Sequence, residues 1–550
     1  MVIFAGAQGT ATSFVLPWTR LESLATVKLL LMIDLGMTLL AASERYPDRK
    51  AIVEGGASWT YRRWFECVSQ VAGGLVGIGL KPGDHLVTVL KNHWQTAALH
   101  WACQLTGVIS TPINWRAKSE EIEFVLGDAD AKAVAFETTT EPAVNSTVQG
   151  RCLIRIAISG EDGLPFDDLM GSKPFEVQRR DRAEDISVML YTSGTTGRGK
   201  GVPRSQYSER AAALAHVLQN GYEEGECTLG VMPLYHTMGI RLLLSMALVN
   251  GCFVCQSHFD AEEALTLIER ESVTSLYLVP TLYHDLLGQK SFENRDLTSV
   301  RKLGFAGAPM EESLLKRVDQ AFHPELFVNH YGSSEIYTFT VELRAAENPG
   351  SAGKAGVNQL IRVISIGSND PEDRVSVGET GQVIADLRSD EAFKGYWRRP
   401  EADKKTLKDG WYFTGDIGRL DEHGSLFLVG RIDDMIITGG ENISPVEVET
   451  VLSGHPKVVE AVVAGLSDER WGQRVTAFIK ARALVSPEEL DAFCRGSALA
   501  DFKRPRKYVF VSGIPKSPVG KVLRRLLVSG DYEVDKRFLR KTKTGMGTPV

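Results

Sequence analysis

The 550-residue sequence has no excess of positive charge, no long apolar run, no internal repeat and few cysteines. Its formal net charge of −7 leaves no electrostatic footprint for nucleic acid, so nucleic-acid partners drop out of the reading. Seven cysteines, an odd number without regular spacing, make no disulfide framework, and the compartment reads as reducing, hence cytoplasmic. Cys252 and Cys255 form a lone C-x-x-C inside an apolar run. Residues three apart on a strand face opposite sides, and no second pair completes a zinc site, so both read as small core residues. The apolar stretch from Leu29 to Ile33, bounded by Lys28 and Asp34, is far short of the roughly 18 residues that a membrane span requires. Residues 1–31 lack a basic leader followed by an apolar block and read as an extension rather than a secretory signal, with Met32 as an alternative start.

What is present is ordinary for a soluble globular chain: 43% hydrophobic and 24% charged residues, enough to build sizeable cores. At roughly 150 residues per domain the length predicts three or four compact units. From about residue 50, β-branched runs alternate with amphipathic helical stretches: Leu86 to Leu90, His93 to Gly107, Val108 to Ile113, Val188 to Tyr191, Tyr207 to Leu218, Val231-Met232, Thr237 to Val249, Phe253-Val254. The alternation continues through Ala261 to Arg270, Leu276 to Val279, Glu311 to Ala321 and Leu326 to Val328. Such a pattern predicts an α/β fold of mostly parallel sheets covered by helices, with ligands at the carboxyl edge of the strands. After about residue 360 the Gly-punctuated runs Gly378 to Val383 and Gly410 to Asp416 predict a small β unit of hairpins. The last segment, about 434 to 525, reads as an α+β unit of its own, with the charged Arg431-Ile432-Asp433-Asp434 at the junction.

The strongest chemical signal is Tyr191-Thr192-Ser193-Gly194-Thr195-Thr196-Gly197-Arg198-Gly199-Lys200-Gly201, directly after an apolar strand. Its hydroxyls, glycine backbone and lysine suit polyphosphate oxygens. Gly194 to Lys200 also fits G-x-x-x-x-G-K, but a Walker A loop needs Ser or Thr next, and here that position is Gly201.

This loop resembles the phosphate-loop signature of the adenylate-forming superfamily, which includes acyl- and aryl-CoA synthetases, amino-acid-activating domains and luciferases. Six further motifs follow in that family's order: Gly307-Ala308-Pro309, Tyr331-Gly332-Ser333-Ser334-Glu335, Tyr412 to Asp416, Gly430 to Ile436, Gly439-Gly440-Glu441-Asn442-Ile443 and Pro515 to Lys521. The resemblance implies an N-terminal domain, residues 1–432, binding AMP and the acid, hinged near Asp433 to a mobile C-terminal domain, residues 433–550. It also implies ATP, Mg²⁺ and coenzyme A as cofactors, a small carboxylic acid as partner, and leaves room for a homodimer.

A carboxylate is a poor electrophile, and its attack on the α-phosphate of ATP makes an acyl-adenylate and releases pyrophosphate. The protein's task is then positioning and charge stabilisation at phosphorus. In the resembled pattern Thr192, Ser193, Gly194, Thr195, Thr196 and Lys200 hold the β- and γ-phosphates, and Ser334 lies near the α-phosphate. Thr196 and Glu335 are implied as Mg²⁺ ligands, a hard oxygen being what that ion prefers. Tyr331 and Gly332 meet the adenine on one face and Gly307 to Pro309 on the other. Asp416 is implied to accept the ribose hydroxyls, with Arg431 on the same sugar. A lone lysine is ordinarily a solvated surface residue, but the Pro515-to-Lys521 context makes Lys521 the catalytic candidate. Gly439, Gly440 and Glu441 are the loop expected to face the site during thioester formation.

The acid pocket is drawn less sharply. Pro233-Leu234-Tyr235-His236-Thr237-Met238-Gly239 resembles the loop that sets a histidine or aromatic residue beside the substrate carboxylate, making His236 a candidate to orient the acid or open the route for pantetheine. No Asp or Glu occurs between Glu226 and Asp260, and an uncompensated buried ammonium is costly, which disfavours an α-amino acid. The bulk of His236, Tyr283, Ile336 and Tyr337 favours a short flat acid. The expected activity is therefore an AMP-forming carboxylic acid–CoA ligase acting on a small aromatic or heteroaromatic acid, benzoate- or furoate-like. Competing readings are a medium-chain or alicyclic acyl-CoA synthetase, an acyl-AMP ligase loading a separate carrier protein, a luciferase-type oxygenase and a P-loop NTPase.

Overall fold

Residues 33–177, 183–192, 199–516 and 522–538 are described by a computed structural model of the chain. Among these residues the strands form three sheets. The first, seven-stranded, runs in the order Leu164–Pro165, Ile154–Ala157, Ala133–Phe136, His85–Val89, Ile109–Pro112, Ile186–Thr192 and Lys200–Ser205. Its pairings are parallel except the last, where Tyr191 faces Gly201 and Thr192 faces Lys200 across an antiparallel hairpin. The second sheet, fourteen-stranded, has a parallel half: Leu326–Tyr331, Lys302–Ala306, Ser275–Leu278, Cys227–Gly230, Cys252–Cys255 and Lys50–Glu54.

Beyond Leu326–Tyr331 that sheet turns antiparallel through Thr340–Glu342, Ser351–Ala355, Leu426–Arg431, Trp411–Leu420, Gly381–Asp386 and Ile361–Ile364. The hairpins expected after residue 360 are found, and they continue the main sheet. Pairing of Ser351–Ala355 with Leu426–Arg431, some 75 residues apart in sequence (351 to 426), joins them to the main sheet. Non-local pairing of this kind leaves no trace in local periodicity. A departure is at Val231-Met232, expected as a strand: the strand ends at Gly230. There the Asn92 amide takes both the Gly230 and Met232 carbonyls, and Pro233 has no N–H to offer a ladder.

The main core lies between these two sheets. The helix Trp94–Thr106 is buried at every position from Thr96 to Thr106 because it packs on strands of both, Ile109–Pro112 and Lys50–Glu54. The helix Thr237–Leu248 is buried over all but its last residue. Cys252 and Cys255 are buried, as expected of core residues, and among the described residues no group of His, Cys, Asp and Glu is arranged to hold a metal ion by itself. No described helix is long and apolar enough to cross a membrane.

The third sheet is small: Glu441–Ile443, Ile436–Thr438, Gly472–Ala481 and Val458–Asp468, with Lys507–Phe510 against Gly472–Ala481. It has its own core, including Ile436, Val448, Leu452, Val463 and Ile479. A single 3₁₀ turn, Ile432–Asp434, links it to the end of the strand Leu426–Arg431. The Ser444 hydroxyl, donating to the Val429 carbonyl at 2.6 Å, is one tie between the two parts.

Candidate active site

The carboxyl ends of the parallel strands bring most of the expected segments to one edge. After Leu326–Tyr331 the chain makes a tight turn in which Ser333 N–H donates to the Ile336 carbonyl at 2.9 Å. Only glycine fits at its second residue, since a Cβ on Gly332 would stand 2.1 Å from the Tyr337 carbonyl oxygen. The turn delivers Glu335, which is only 6% exposed although charged.

Three residues from two segments hold Glu335. The Tyr396 hydroxyl donates to Oε1 at 2.7 Å. The Phe393 N–H donates to its backbone carbonyl at 2.9 Å, and a nitrogen of the Arg204 guanidinium does so at 3.0 Å. Arg204 is fully buried, pairs with Glu209 at 2.8 Å, donates also to the Glu391 carbonyl, and lies over the Tyr337 ring at 4.1 Å. Lys200, at the start of the second hairpin strand, sets its ammonium 4.1 Å from the Tyr396 ring centroid. Burial lowers the Lys200 pKa while the Glu335 charge opposes that shift.

A second cluster is built from the strands Trp411–Leu420 and Leu426–Arg431, where Asp416 pairs in register with Arg431. Arg431 donates to Asp416 Oδ1 at 2.7 Å, and the Tyr331 hydroxyl donates to Oδ2 at 2.5 Å. The Thr414 hydroxyl donates to the Val383 carbonyl and receives the Asp416 N–H, fixing the carboxylate's root. The Tyr331 ring packs on Phe339 at 5.0 Å between centroids, and burial, with the Asp416 charge next, raises its hydroxyl pKa so that it remains a donor. Gly307, Ala308 and Pro309 follow the strand Lys302–Ala306 and remain partly or fully exposed at the same edge.

The loop over residues 233–239 is stapled from the other sheet. Asn92 Nδ2 donates to the Gly230 and Met232 carbonyls at 3.1 and 2.7 Å, and its Oδ1 accepts the Leu234 N–H at 3.0 Å. His236, half-buried, caps the helix Thr237–Leu248: its Nδ1 accepts the Met238 N–H at 3.3 Å. Next to Asn92, His93 bridges Glu54 at 2.7 Å and Glu137 at 3.3 Å. Burial alone would lower the His93 pKa, but the hydrogen bonds to Glu137 and Glu54 raise it to about 9.

Two expectations for the pocket are corrected. Tyr283 is fully buried, and its hydroxyl donates to the Leu276 and Gly304 carbonyls, so it ties two core strands together. Ile336 packs into a closed apolar cluster with Val202, Phe339 and Ala385. Neither can line a pocket wall from these positions. Arg241, the one charged residue between Glu226 and Asp260, went unremarked in the sequence. It is buried and donates to the Thr338 hydroxyl at 2.7 Å and to the Tyr277 hydroxyl.

Ser193, Gly194, Thr195, Thr196, Gly197 and Arg198 lie outside the described residues, as does Lys521. Their flanks are described: Thr192 and Lys200 face each other at the hairpin end. Ser334 is partly exposed beside Glu335. Gly439 and Gly440, with φ of +59° and +90°, form a two-residue hairpin closed by Thr438 and Glu441. Its described contact is with Trp471 of its own sheet, Gly439 N–H donating to the Trp471 carbonyl at 3.0 Å.

Among the described residues, then, a hairpin end at Thr192 and Lys200, the buried Glu335 carboxylate and a separate Asp416–Arg431–Tyr331 cluster lie at the strand ends. Residues 39–397 match the AMP-binding enzyme family and residues 447–521 the AMP-binding enzyme C-terminal domain. The chain is 33% identical over 494 residues to a 4-chlorobenzoate–CoA ligase of Arthrobacter sp., covering 88% of this chain and 93% of that protein. It is 29% identical over 509 residues to a long-chain-fatty-acid–CoA ligase of Mycobacterium tuberculosis, covering 90% and 98%. The solved structure of ATP-bound MatB from Rhodopseudomonas palustris superposes with a TM-score of 0.83 at 26% identity, covering 91% of this chain and 99% of that one. The chain therefore belongs to the AMP-binding enzyme family. Within it the chain is an AMP-forming acid–thiol ligase, of a family that takes ATP and CoA as substrates with a carboxylic acid.

Proposed function

We propose that this ligase activates a small aromatic or heteroaromatic acid, benzoate- or furoate-like, as its acyl-adenylate and passes it to CoA. The observation that carries the reading is the wall behind His236. The helix Thr237–Leu248 is buried over all but its last residue, and its entry is stapled by Asn92, a packed backing that favours a short acid over a long chain. The absence of Asp and Glu between Glu226 and Asp260 removes a counter-ion for a substrate ammonium. The similarity to a 4-chlorobenzoate–CoA ligase supports the aromatic choice, and the similarity to a fatty-acid ligase supplies its competitor.

The roles proposed for the site residues are those of the adenylate-forming pattern. Lys200, with Thr192, Ser193, Gly194, Thr195 and Thr196, holds the β- and γ-phosphates, and Ser334 lies near the α-phosphate. Glu335 suits Mg²⁺: it is an anionic oxygen donor with one oxygen taken by Tyr396, and its second oxygen takes no hydrogen bond among the described residues. Bound there with Thr196, the ion neutralises phosphate charge. Asp416 and Arg431 hold the ribose, Tyr331 and Gly332 meet adenine on one face and Gly307, Ala308 and Pro309 on the other, and His236 orients the acid carboxylate toward phosphorus. Domain 433–550 turns about Asp433 relative to domain 1–432, bringing Lys521 for adenylation and Gly439, Gly440 and Glu441 for thioester formation.

The test is pyrophosphate release with benzoate, furoate, cyclohexanecarboxylate, hexanoate, palmitate and alanine. Benzoate or furoate is expected to show the highest kcat/KM; a clear preference for palmitate or alanine overturns the reading.

A further inference from the structure

Tyr396 belongs to none of the motifs that marked the site, yet it stands between two of its charged groups. It is 5% exposed, and its ring packs edge-on against Phe393 at 5.0 Å. Its hydroxyl donates to Glu335 Oε1 at 2.7 Å, and its ring face lies 4.1 Å from the Lys200 ammonium. The backbone around it is sewn to both partners: Phe393 N–H donates to the Glu335 carbonyl and Trp397 N–H to the carbonyl of Gly201, next to Lys200, each at 2.9 Å. Tyr396 N–H is itself held by Asp403 Oδ1 at 2.8 Å.

Each contact does something a plain core ring would not. A carboxylate on a free side chain turns about its last bond; a hydroxyl fixed on one oxygen sets the plane and aims the other. An ammonium on a four-carbon stem is flexible, and a ring face placed under it attracts it electrostatically and narrows its range.

We propose that Tyr396 is a positioning residue for adenylation: its hydroxyl aims Glu335 at Mg²⁺, and its ring holds Lys200 for the phosphates. This rests on the reading of Glu335 as metal ligand and Lys200 as phosphate contact. The two halves separate by chemistry, since Tyr396→Phe keeps the ring and loses the hydroxyl, whereas Tyr396→Leu loses both.

The experiment is calorimetric titration of the full chain with ATP and no acid, so that nothing turns over, once with Mg²⁺ and once with EDTA. The quantity read is the ratio of the two affinities, with Glu335→Gln measured alongside. Tyr396→Phe is expected to lower the Mg²⁺ enhancement by about tenfold while metal-free ATP binding stays within about twofold of wild type. Tyr396→Leu is expected to lose the same enhancement and also to weaken metal-free binding several-fold. An unchanged Mg²⁺ ratio in Tyr396→Phe, with the ratio reduced in Glu335→Gln, overturns the role of Tyr396 alone. An unchanged ratio in Glu335→Gln overturns the metal reading and the role of Tyr396 with it. Equal weakening of both titrations in Tyr396→Phe makes the residue core filling and also overturns the proposal.

Discussion

Glu335 owes its position to residues from two distant parts of the chain: Arg204 on a hairpin strand, and Phe393 and Tyr396 on a later loop, converge on a turn that Gly332 makes possible. Those contacts hold the backbone and one carboxylate oxygen, so Glu335→Gln keeps the shape and most of the bonding and removes the anionic charge. Pyrophosphate release is expected to fall by about 10²-fold or more, the cost of losing one charge-stabilising contact in a transition state. The melting temperature is expected to stay within a few degrees by circular dichroism. Near-normal turnover in this variant means that the metal is held elsewhere. Glu335 was legible in the sequence because Tyr331-Gly332-Ser333-Ser334 precedes it. Arg204 and Tyr396 were not, because a polar side chain that braces another has no spacing rule, and their role exists only once strands far apart in sequence are side by side.

Among the elements, the loop Lys91-Asn92-His93 spans the two large sheets and sets where the acid loop begins. Asn92→Ala leaves the Gly230 and Met232 carbonyls and the Leu234 N–H without their partner in a buried place. A loss of about 2–4 kcal/mol is expected from unpaired buried groups, read from the denaturant midpoint at constant m-value. KM for the acid is expected to rise more than KM for ATP, since the Asp416 cluster is untouched. Equal rises in both would mean that the staple serves the whole core. Helices and parallel strands were legible from local patterning: Thr237 to Val249 was expected and Thr237–Leu248 is found, Leu276 to Val279 was expected and Ser275–Leu278 is found. The pocket was legible only in part. Tyr283 and Ile336 have the bulk of wall residues, but bulk does not tell whether a side chain faces a cavity or a core, and here both face the core.

In the whole molecule, a sheet of fourteen strands ends at Arg431 and a separate small core begins at Ile436, with one short turn between them. If that turn is the pivot, Lys521→Ala is expected to lose acyl-adenylate formation by about 10²-fold, the value of a contact of roughly 3 kcal/mol. It is expected to keep conversion of supplied acyl-adenylate and CoA to the thioester. Rapid-quench measurement of the two half-reactions separates these outcomes, and equal loss of both with the fold intact would overturn domain alternation. The sheet order also has a consequence during synthesis. The strand Lys50–Glu54 is hydrogen-bonded in parallel to Cys252–Cys255, made some 200 residues later (50 to 252). Its antiparallel partner Ala57–Thr60 follows at once, but at ribosomal speeds of about 5–20 residues per second its other edge waits roughly 10 to 40 s. Through that interval its apolar residues Ala51, Ile52 and Val53 have no finished sheet to join. The nascent amino-terminal half thus carries an open sheet edge through that interval, whereas the carboxyl-terminal unit, whose strands pair among themselves, closes soon after it emerges.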